Sequence, residues 1–211
     1  MTAAPLRALL ALAACRALAQ ADDAAAAGET FRIDPALTRA EFAVDHFFIS
    51  TLHGRFGVTR GTIVLDSEAR SGSIDFSIEA DSVDTGWSVR DDFIRGEFMF
   101  DASRFPEVHF HSRELAFGGT GLTGATGELT MHDVTRPVTV RVERMDCRPE
   151  GRAGGERCDV AVVSTVKRSE FGMPFALPFV GDDIQLEFHL AARRVGRGPA
   201  MSEANPGAPP R

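Results

Sequence analysis

Two short stretches carry residue types that do chemistry in other proteins, but neither has the companions that the chemistry needs. Ser164 and Lys167 stand in the S-x-x-K spacing of acyl-serine enzymes, yet the S-D-N and K-T-G strings of those enzymes are absent. The stretch Gly118-Gly119-Thr120-Gly121 lacks the Lys-Ser/Thr ending of a phosphate-binding loop and is interpreted as a turn. The strings H-E-x-x-H and G-x-S-x-G do not occur either. The sequence therefore predicts no catalytic residues and no enzyme.

Three histidines could bind a metal or a polar group. His109 and His111 share one face of an alternating segment, and both could reach one metal ion, but the sequence assigns no third ligand. A solvated face explains them better, so we predict no metal site. His46 falls on the same face as Phe42 and Val44 and points inward. It is either a hydrogen-bonded core residue or a contact for a polar head group, and both interpretations stay open.

Charged residues cluster where a strand passes into a predicted short helix. Asp84, Arg90 and Asp91 lie within this junction. In one interpretation Arg90 meets a phosphate or carbonyl head group. In the other, which we favour, Asp84 caps the helix and an Arg–Asp pair fixes the connection.

Cys147 and Cys158 are predicted to form a disulfide, because an isolated pair in an exported chain is typically bridged. The bridge would close a long hairpin loop between them and contribute about 2–3 kcal/mol. A redox-active pair is the alternative, but the spacing is not C-x-x-C.

The N-terminal residues predict export. Residues 1–19 combine the positive Arg7, an apolar run over residues 8–14 and a small-x-small cleavage site at residues 17–19. We expect a periplasmic or secreted protein. The alternative is a lipoprotein anchored through Cys15, since residues 12–15 resemble a lipobox.

The ends of the chain bound one folded unit. Residues 20–30 are predicted to be a linker, residues 31–194 a barrel, and the Pro- and Gly-rich residues 195–211 a disordered tail. The formal net charge is −7, and removal of Arg7 and Arg16 with the signal makes it −9. This acidity argues against nucleic acid and anionic membrane surfaces as general partners.

An apolar–polar alternation with a period of two predicts an all-β protein. Eight segments show it: residues 38–46, 55–66, 74–80, 107–111, 122–131, 138–143, 158–168 and 183–190. We expect an eight-stranded antiparallel barrel, which has room for side chains or one small ligand. A short helix is predicted within residues 85–95, and residues 47–53 and 171–181 are expected to be apolar connections. The sixteen Phe and the absence of Tyr favour an interior without polar handles.

Ordered motifs along the folded unit carry a resemblance to the YceI-like proteins, a lipocalin-like family named for binding polyisoprenoids. The motifs are Phe31-Arg32-Ile33-Asp34, Phe42-x-Val44-x-His46, Gly54-x-Phe56, Gly61-x-Ile63-x-Leu65-Asp66, Ser82-Val83-Asp84-Thr85-Gly86-x-x-x-Arg90-Asp91-x-Phe93-x-Arg95, Phe98-x-Phe100-Asp101, Phe105-Pro106, Gly127-x-Leu129-Thr130, Val134-Thr135-Arg136-Pro137-Val138 and Lys167-Arg168-Ser169-x-Phe171-Gly172-Met173. One departure is His132-Asp133, where the family usually has a Gly, and we expect a strained but intact turn.

The resemblance implies a periplasmic carrier whose partner is a lipid-like small molecule, such as a polyisoprenoid, a quinone or a fatty-acid-like chain. It implies no other cofactor, and a peripheral membrane contact and a homodimer are further expectations. The predicted ligand-binding residues are Phe42, Val44, His46, Ile63, Phe76, Ile78, Arg90, Phe93, Phe110 and Phe188. The alternative is a partner-binding or stress-response module with a solidly packed barrel and no ligand. A third hypothesis, an enzyme of isoprenoid or quinone metabolism, lacks a catalytic constellation.

Overall fold

The structure is a computed structural model that describes residues 28–57, 59–119, 121–151 and 155–197. The segments predicted as signal, most of the linker and most of the tail lie outside these residues. The described part contains eleven strands, a short α-helix and two single 3-10 turns. The strands are β1 (Glu29–Ile33), β2 (Arg39–His46), β3 (Ser50–Phe56), β4 (Thr59–Asp66), β5 (Ser71–Glu79), β6 (Val83–Asp84), β7 (Glu107–Gly118), β8 (Gly121–Met131), β9 (Val134–Glu150), β10 (Gly155–Lys167) and β11 (Val180–Arg197); the helix is α1 (Ser88–Arg95), and the 3-10 turns are Ala80–Ser82 and Arg168–Phe171.

The strands close into a barrel of eight positions, as the sequence predicts. The order β1-β4-β5-β7-β8-β9-β10-β11 returns to its start because β1 also pairs with β11, and every pair is antiparallel. Two positions are each built from two segments. β11 pairs with β1 along its C-terminal part and with β2 along its N-terminal part, so β1 and β2 share one position of the barrel. β4 pairs with β1 and β3 pairs with β2, so β3 and β4 share the next position. A chain of eight alternating segments therefore gives eight barrel strands, although two of them are kinked.

The barrel has two different ends, because successive antiparallel strands put their connections at alternate ends. We call one the loop end: it carries residues 47–49, the long stretch 80–106 that includes α1, and residues 168–179. We call the other the turn end: it carries the β4–β5, β7–β8 and β9–β10 connections, the start of β1 and the end of β11. The long irregular segments among the described residues therefore lie at the loop end.

The inward side chains form two apolar clusters stacked along the barrel. One surrounds Phe171 and Met173 toward the loop end, and the other surrounds Phe31 and Cys158 toward the turn end. Ile74, Phe76 and Phe188 pack against both clusters, so the two are continuous. No helix among the described residues is long and apolar enough to cross a membrane.

Several predicted boundaries differ from the structure. β3 starts at Ser50, so only residues 47–49 of the expected 47–53 connection are a connection, and α1 occupies only Ser88–Arg95 of the stretch 85–95. β1 begins at Glu29 inside the expected linker, and β11 runs to Arg197, past the expected end at residue 194. Pairing of β1 with the end of β11 extends both strands, and this long-range contact leaves no local signal in the sequence.

Cys147 and Cys158 are bonded, as predicted, but the surroundings of the bond differ from the prediction. The two cysteines lie directly opposite each other in the β9–β10 ladder, which continues beyond them to Glu150 and Gly155. The disulfide therefore joins two paired strands near the turn end and does not close a long hairpin loop.

The β8–β9 hairpin carries the unusual turn His132-Asp133. Both residues have a positive φ, 52° and 60°, which suits Gly better than a residue with a Cβ. Met131 and Val134 still pair across the turn, so the prediction of a strained but intact turn is confirmed.

Candidate ligand-binding cavity

The inward side chains leave a cavity of about 460 Å³ along the barrel. This volume falls within the range of about 300–1,000 Å³ that is typical of small-molecule sites. Phe31, Leu65 and Leu122 line the cavity toward the turn end. The barrel is therefore not solidly packed, contrary to the alternative expectation.

All ten residues that the sequence singles out lie on the cavity wall. Val44, Ile78 and Phe110 are buried, and Phe93 is the most exposed of the apolar members. The period of two could place the eight that lie on strands, because alternate side chains of a barrel strand point to the same side. It could not place Arg90 and Phe93, which lie on α1. Whether they contact a ligand stays a prediction.

Phenylalanine rings shape the middle of the cavity. Phe76 and Phe188 meet edge to face with centroids 5.6 Å apart. The Phe42 ring lies across Gly54 on the neighbouring strand, at a place where a Cβ on Gly54 would come within 2.2 Å of the ring. This glycine lets Phe42 lie flat against the wall and contact Phe56 at 5.5 Å. Gly54 thereby keeps the interior open at this level.

The cavity opens at the loop end. Phe47, Phe93 and Phe175 line the cavity and are also exposed to solvent, and all three lie on loop-end segments. We call this opening the mouth. His46, at the end of β2, and Arg90, on α1, are polar side chains of the wall near the mouth.

An apolar rim surrounds the mouth. Among the described residues, all the exposed large hydrophobic side chains except Leu37 and Val195 lie on residues 47–49, 87–98 and 175–179. The rim consists of Phe47, Phe48, Ile49, Trp87, Val89, Phe93, Phe98, Phe175 and Phe179. Ring contacts join the three segments: Phe47 lies 6.0 Å from Phe179, and Phe175 lies 5.0 Å from Phe93 and 5.8 Å from Phe98. The sequence predicts apolar connections at two of these segments, residues 47–53 and 171–181, but not that their side chains form one exposed rim with those of residues 87–98.

The network at the helix junction differs from the predicted one. Asp84 does not cap α1; it accepts hydrogen bonds from Gly86 N at 2.8 Å and from Arg55, and these lower the pKa of its carboxyl group. Arg90 and Asp91 do not pair with each other. Instead both contact Thr85, Arg90 through Nε and Nη2 at 2.8 Å and Asp91 as an acceptor from Thr85 N at 2.8 Å. The junction is a structural network, as we favoured, but with different partners.

The outer face carries the other candidate ligands of a metal. His109 and His111 both approach one oxygen of Asp75, at 3.2 and 3.5 Å. Elsewhere on the described surface Glu41, Glu187 and His189 bring one ligand atom each to within 4.8 Å of one another. Exposed carboxylates and histidines commonly gather in this way without a metal, so we assign neither group a role.

The S-x-x-K spacing forms no catalytic contact. Ser164 donates to Thr139 O at 2.9 Å, while Lys167 pairs with Asp183 at 2.6 Å. The two side chains are engaged with different partners, which agrees with interpreting the spacing as a coincidence.

Comparison with known proteins places the chain in a family. The profile of the YceI-like domain matches residues 31–192. A UPF0312 protein of Pseudomonas aeruginosa is 31% identical over 181 residues, which cover 84% of this chain and 93% of that protein. The chain belongs to the YceI-like family. A UPF0312 protein of Vibrio campbellii is 28% identical over 152 residues, 71% of this chain and 78% of that one.

Solved structures share the barrel of this YceI-like chain. BcnA of Burkholderia cenocepacia superposes with a TM-score of 0.62 at 25% identity, covering 75% of this chain and 98% of BcnA. A domain from Saccharophagus degradans, described as polyisoprenoid binding, gives a TM-score of 0.60 at 17% identity, over 78% of this chain and 98% of the domain. This second likeness shows the fold alone.

The YceI-like motif Lys167-Arg168-Ser169 holds the loop between β10 and β11 in place. The Arg168 guanidinium is almost fully buried and donates to Met173 O, to Val180 O at 2.9 Å and to Gly181 O at 2.8 Å. Burial lowers the pKa of Arg168, while the nearby charge of Asp182 opposes this shift. Met173 lies in the loop that carries Phe175 and Phe179, and Val180 and Gly181 follow this loop at the start of β11, so Arg168 holds both sides of it and positions one side of the mouth.

Ser169 and Lys167 fix the same loop from either side of Arg168. Ser169 donates its N–H at 2.9 Å and its hydroxyl at 2.8 Å to the Asp182 carboxylate. Desolvation raises the pKa of Asp182, but the hydrogen bonds from Ser169 together with the charges of Lys167 and Arg168 outweigh it, and the net shift is downward. The ion pair with Asp183 raises the pKa of Lys167. Sequence reasoning found this motif by resemblance only, because its partners are brought together by the fold.

Proposed function

We propose that this protein binds and carries a long-chain amphiphile, such as a polyisoprenoid or an isoprenoid quinone, with the apolar tail inside the barrel. The observation that carries the proposal is the continuous apolar cavity that opens at one end of the barrel. The description of the Saccharophagus degradans domain as polyisoprenoid binding supports the same class of ligand.

Burial of apolar surface selects long tails in such a cavity. Each methylene group removed from water contributes about 0.8 kcal/mol. Association itself costs at least about 4 kcal/mol, so a tail must bury several such groups before binding becomes favourable. A chain that extends from Phe93 at the mouth to Phe31 near the turn end meets this condition, since both residues line the same cavity.

The polar head of the ligand would stay at the mouth, near His46 and Arg90. Arg90 uses Nε and Nη2 to hold Thr85, and its Nη1 has no hydrogen-bond partner among the described residues. A phosphate or carbonyl oxygen can accept from this nitrogen, since a guanidinium has five N–H donors. The same side chain would then fix the junction and contact the ligand.

A periplasmic or secreted location belongs to the proposal, with a lipoprotein anchored through Cys15 as the alternative. The Cys147–Cys158 disulfide supports an oxidising compartment. The carrier role requires no second copy of the chain, because the described residues of one chain enclose the cavity. The proposal includes no reaction.

The proposal is tested by a substitution that places a large ring inside the cavity and leaves the outer surface unchanged. Val140 points into the cavity, and its neighbour Arg141 points outward. Val140→Phe should greatly reduce uptake of a fluorescently labelled polyprenyl phosphate and of menaquinone, whereas Arg141→Phe adds the same ring outside and should leave uptake unchanged. Circular dichroism and a thermal melt check that both variants are folded. Equal uptake by a folded Val140→Phe variant, or no uptake by the unmodified protein, would overturn the proposal.

A further inference from the structure

The apolar rim exposes more hydrophobic surface than the fold needs. Phe48 and Ile49 at the tip of the β2–β3 hairpin are 75% and 88% exposed, and Trp87 is 58% exposed. Single exposed apolar residues are common, but a contiguous apolar patch on a soluble protein marks a surface that binds something. The ring contacts bring the three rim segments together on one side of the molecule.

The rings of Phe47 and Phe48 at the tip of the β2–β3 hairpin do not stabilise the turn. Phe47 and Phe48 have φ angles of 53° and 60°, and Ile49 N donates to His46 O at 3.3 Å. A turn with positive φ at both central positions strongly favours Asn and Gly, and a bulky residue is strained there. Two phenylalanines at this place oppose the backbone and are also exposed to water. Strain of this kind is typically found at functional positions.

The undescribed ends of the chain are poorly suited to cover the rim. The described residues begin at Gly28 and end at Arg197, and both lie at the turn end, opposite the mouth. Residues 198–211 include one large apolar residue, Met201, among Pro, Gly, Ala and polar residues. Residues 20–27, which precede the described part in the predicted mature chain, contain only Gln, Ala and Asp, so neither segment offers the large apolar side chains that would cover the rim.

A lipid surface fits the rim better than a second copy of the chain. The rim encircles the mouth, so a bilayer in contact with it would make the cavity continuous with the acyl chains, whereas a second rim would seal both cavities. Aromatic side chains, Trp above all, favour the interface between the head groups and the hydrocarbon. The net charge of −7 opposes binding to anionic lipids, so the contact must depend on apolar insertion.

We propose that the apolar rim docks the loop end of the barrel into the interface of a zwitterionic bilayer, with the mouth facing the lipid. Transfer of a ligand between bilayer and cavity rests on the proposed function, but docking does not, and the two can be measured separately. Insertion into the bilayer would explain why two phenylalanines occupy the strained turn at residues 47–48 and are exposed there.

Trp87 provides the measurement, because it is the only tryptophan of the chain and lies in the rim. On addition of phosphatidylcholine vesicles its emission should shift to shorter wavelength, and lipids brominated along the acyl chain should quench it. High salt should leave the titration unchanged, since apolar insertion is not screened. No shift with phosphatidylcholine, or a shift with anionic vesicles only that salt abolishes, overturns the proposal.

Two double variants separate docking from folding and from ligand binding. Phe48→Gly with Ile49→Thr suits the turn better than the natural residues, and neither side chain lines the cavity. It should keep or raise the melting temperature, retain uptake of the polyprenyl probe and lower vesicle partitioning about tenfold or more. Leu37→Asn with Val195→Thr removes the two exposed large apolar side chains that lie outside the rim in the described part of the chain, and it should leave partitioning unchanged.

The remaining outcomes decide between docking and its alternatives. Equal loss of partitioning in both double variants, or a Trp87 shift that follows protein concentration without vesicles together with a dimer in sedimentation, overturns the proposal. Docking without uptake of any probe leaves the proposal standing and contradicts the proposed carrier function. Uptake without docking contradicts only the membrane contact.

Discussion

At the scale of single residues, Arg168 connects the strand ladder to the mouth. Its guanidinium is buried and satisfies three backbone carbonyls, one in the β10–β11 loop and two at the start of β11. A lysine could not do the same, because its ammonium is a compact donor without the planar fork. The shape of the mouth therefore depends on one side chain that is itself buried.

Arg168→Met should lower the free energy of unfolding by about 2–4 kcal/mol, because it leaves buried carbonyls without donors. Chemical denaturation measures this. The matched control is Arg136→Met, which removes an exposed side chain that donates only to Glu170 O, and which should cost no more than about 0.5 kcal/mol. Equal costs for the two variants would show that Arg168 is not what holds the loop.

Asp182 makes the same loop sensitive to acid. Its pKa lies below the ordinary value of 3.8, so its contribution to stability is present above that value and is lost as the pH falls through the lowered pKa. Asp182→Asn should therefore reduce the loss of stability between neutral pH and about pH 3, in denaturation curves recorded across that range. If the stability of the variant and of the unmodified protein falls equally with pH, Asp182 is not the group that makes the loop sensitive to acid.

At this scale, the positions of side chains could be predicted from the sequence where the pattern is local. Eight of the ten wall residues follow from alternation, which is a property of the strand itself, whereas Arg90 and Phe93 lie on α1. The partners of Asp84, Arg90 and Asp91 were assigned wrongly, because the fold brings Arg55 to Asp84 and Thr85 to Arg90 and Asp91. The same reason hid the acceptors of Arg168.

At the scale of elements, the connections decide what the barrel does. The β2–β3 hairpin was predicted as a longer apolar connection, because Phe47-Phe48 lacks the Asn or Gly that usually identifies a tight turn. The residue types that concealed this turn are the ones that form part of the rim. The mismatch between turn geometry and residue type is one of the observations behind the proposed membrane contact.

The Cys147–Cys158 bond should stabilise the barrel without affecting the mouth. It joins β9 and β10 near the turn end across a separation of 11 residues. Reduction, or a double change to Ala, should lower the free energy of unfolding by about 2–3 kcal/mol. Uptake of a polyprenyl probe by the folded reduced protein should be unchanged. A loss of uptake before unfolding would show that the two ends are coupled.

At the scale of the whole molecule, eight alternating segments were enough to predict a closed antiparallel barrel. The cavity could not be predicted in this way. Whether inward side chains fill a barrel depends on its diameter, on the kinks that join β1 to β2 and β3 to β4, and on positions such as Gly54 where a ring lies against the wall. Only the resemblance to the YceI-like family suggested an open interior.

The central claim is that this interior holds a lipid tail, and native mass spectrometry tests it most directly. The protein is isolated without detergent from a bacterium that exports it, and the masses of the intact and denatured forms are compared. The account predicts a non-covalent adduct with the mass of a long-chain isoprenoid or quinone, which is lost on denaturation and absent from a folded Val140→Phe variant. A native mass equal to that of the bare chain, after incubation with such lipids as well, would contradict the account.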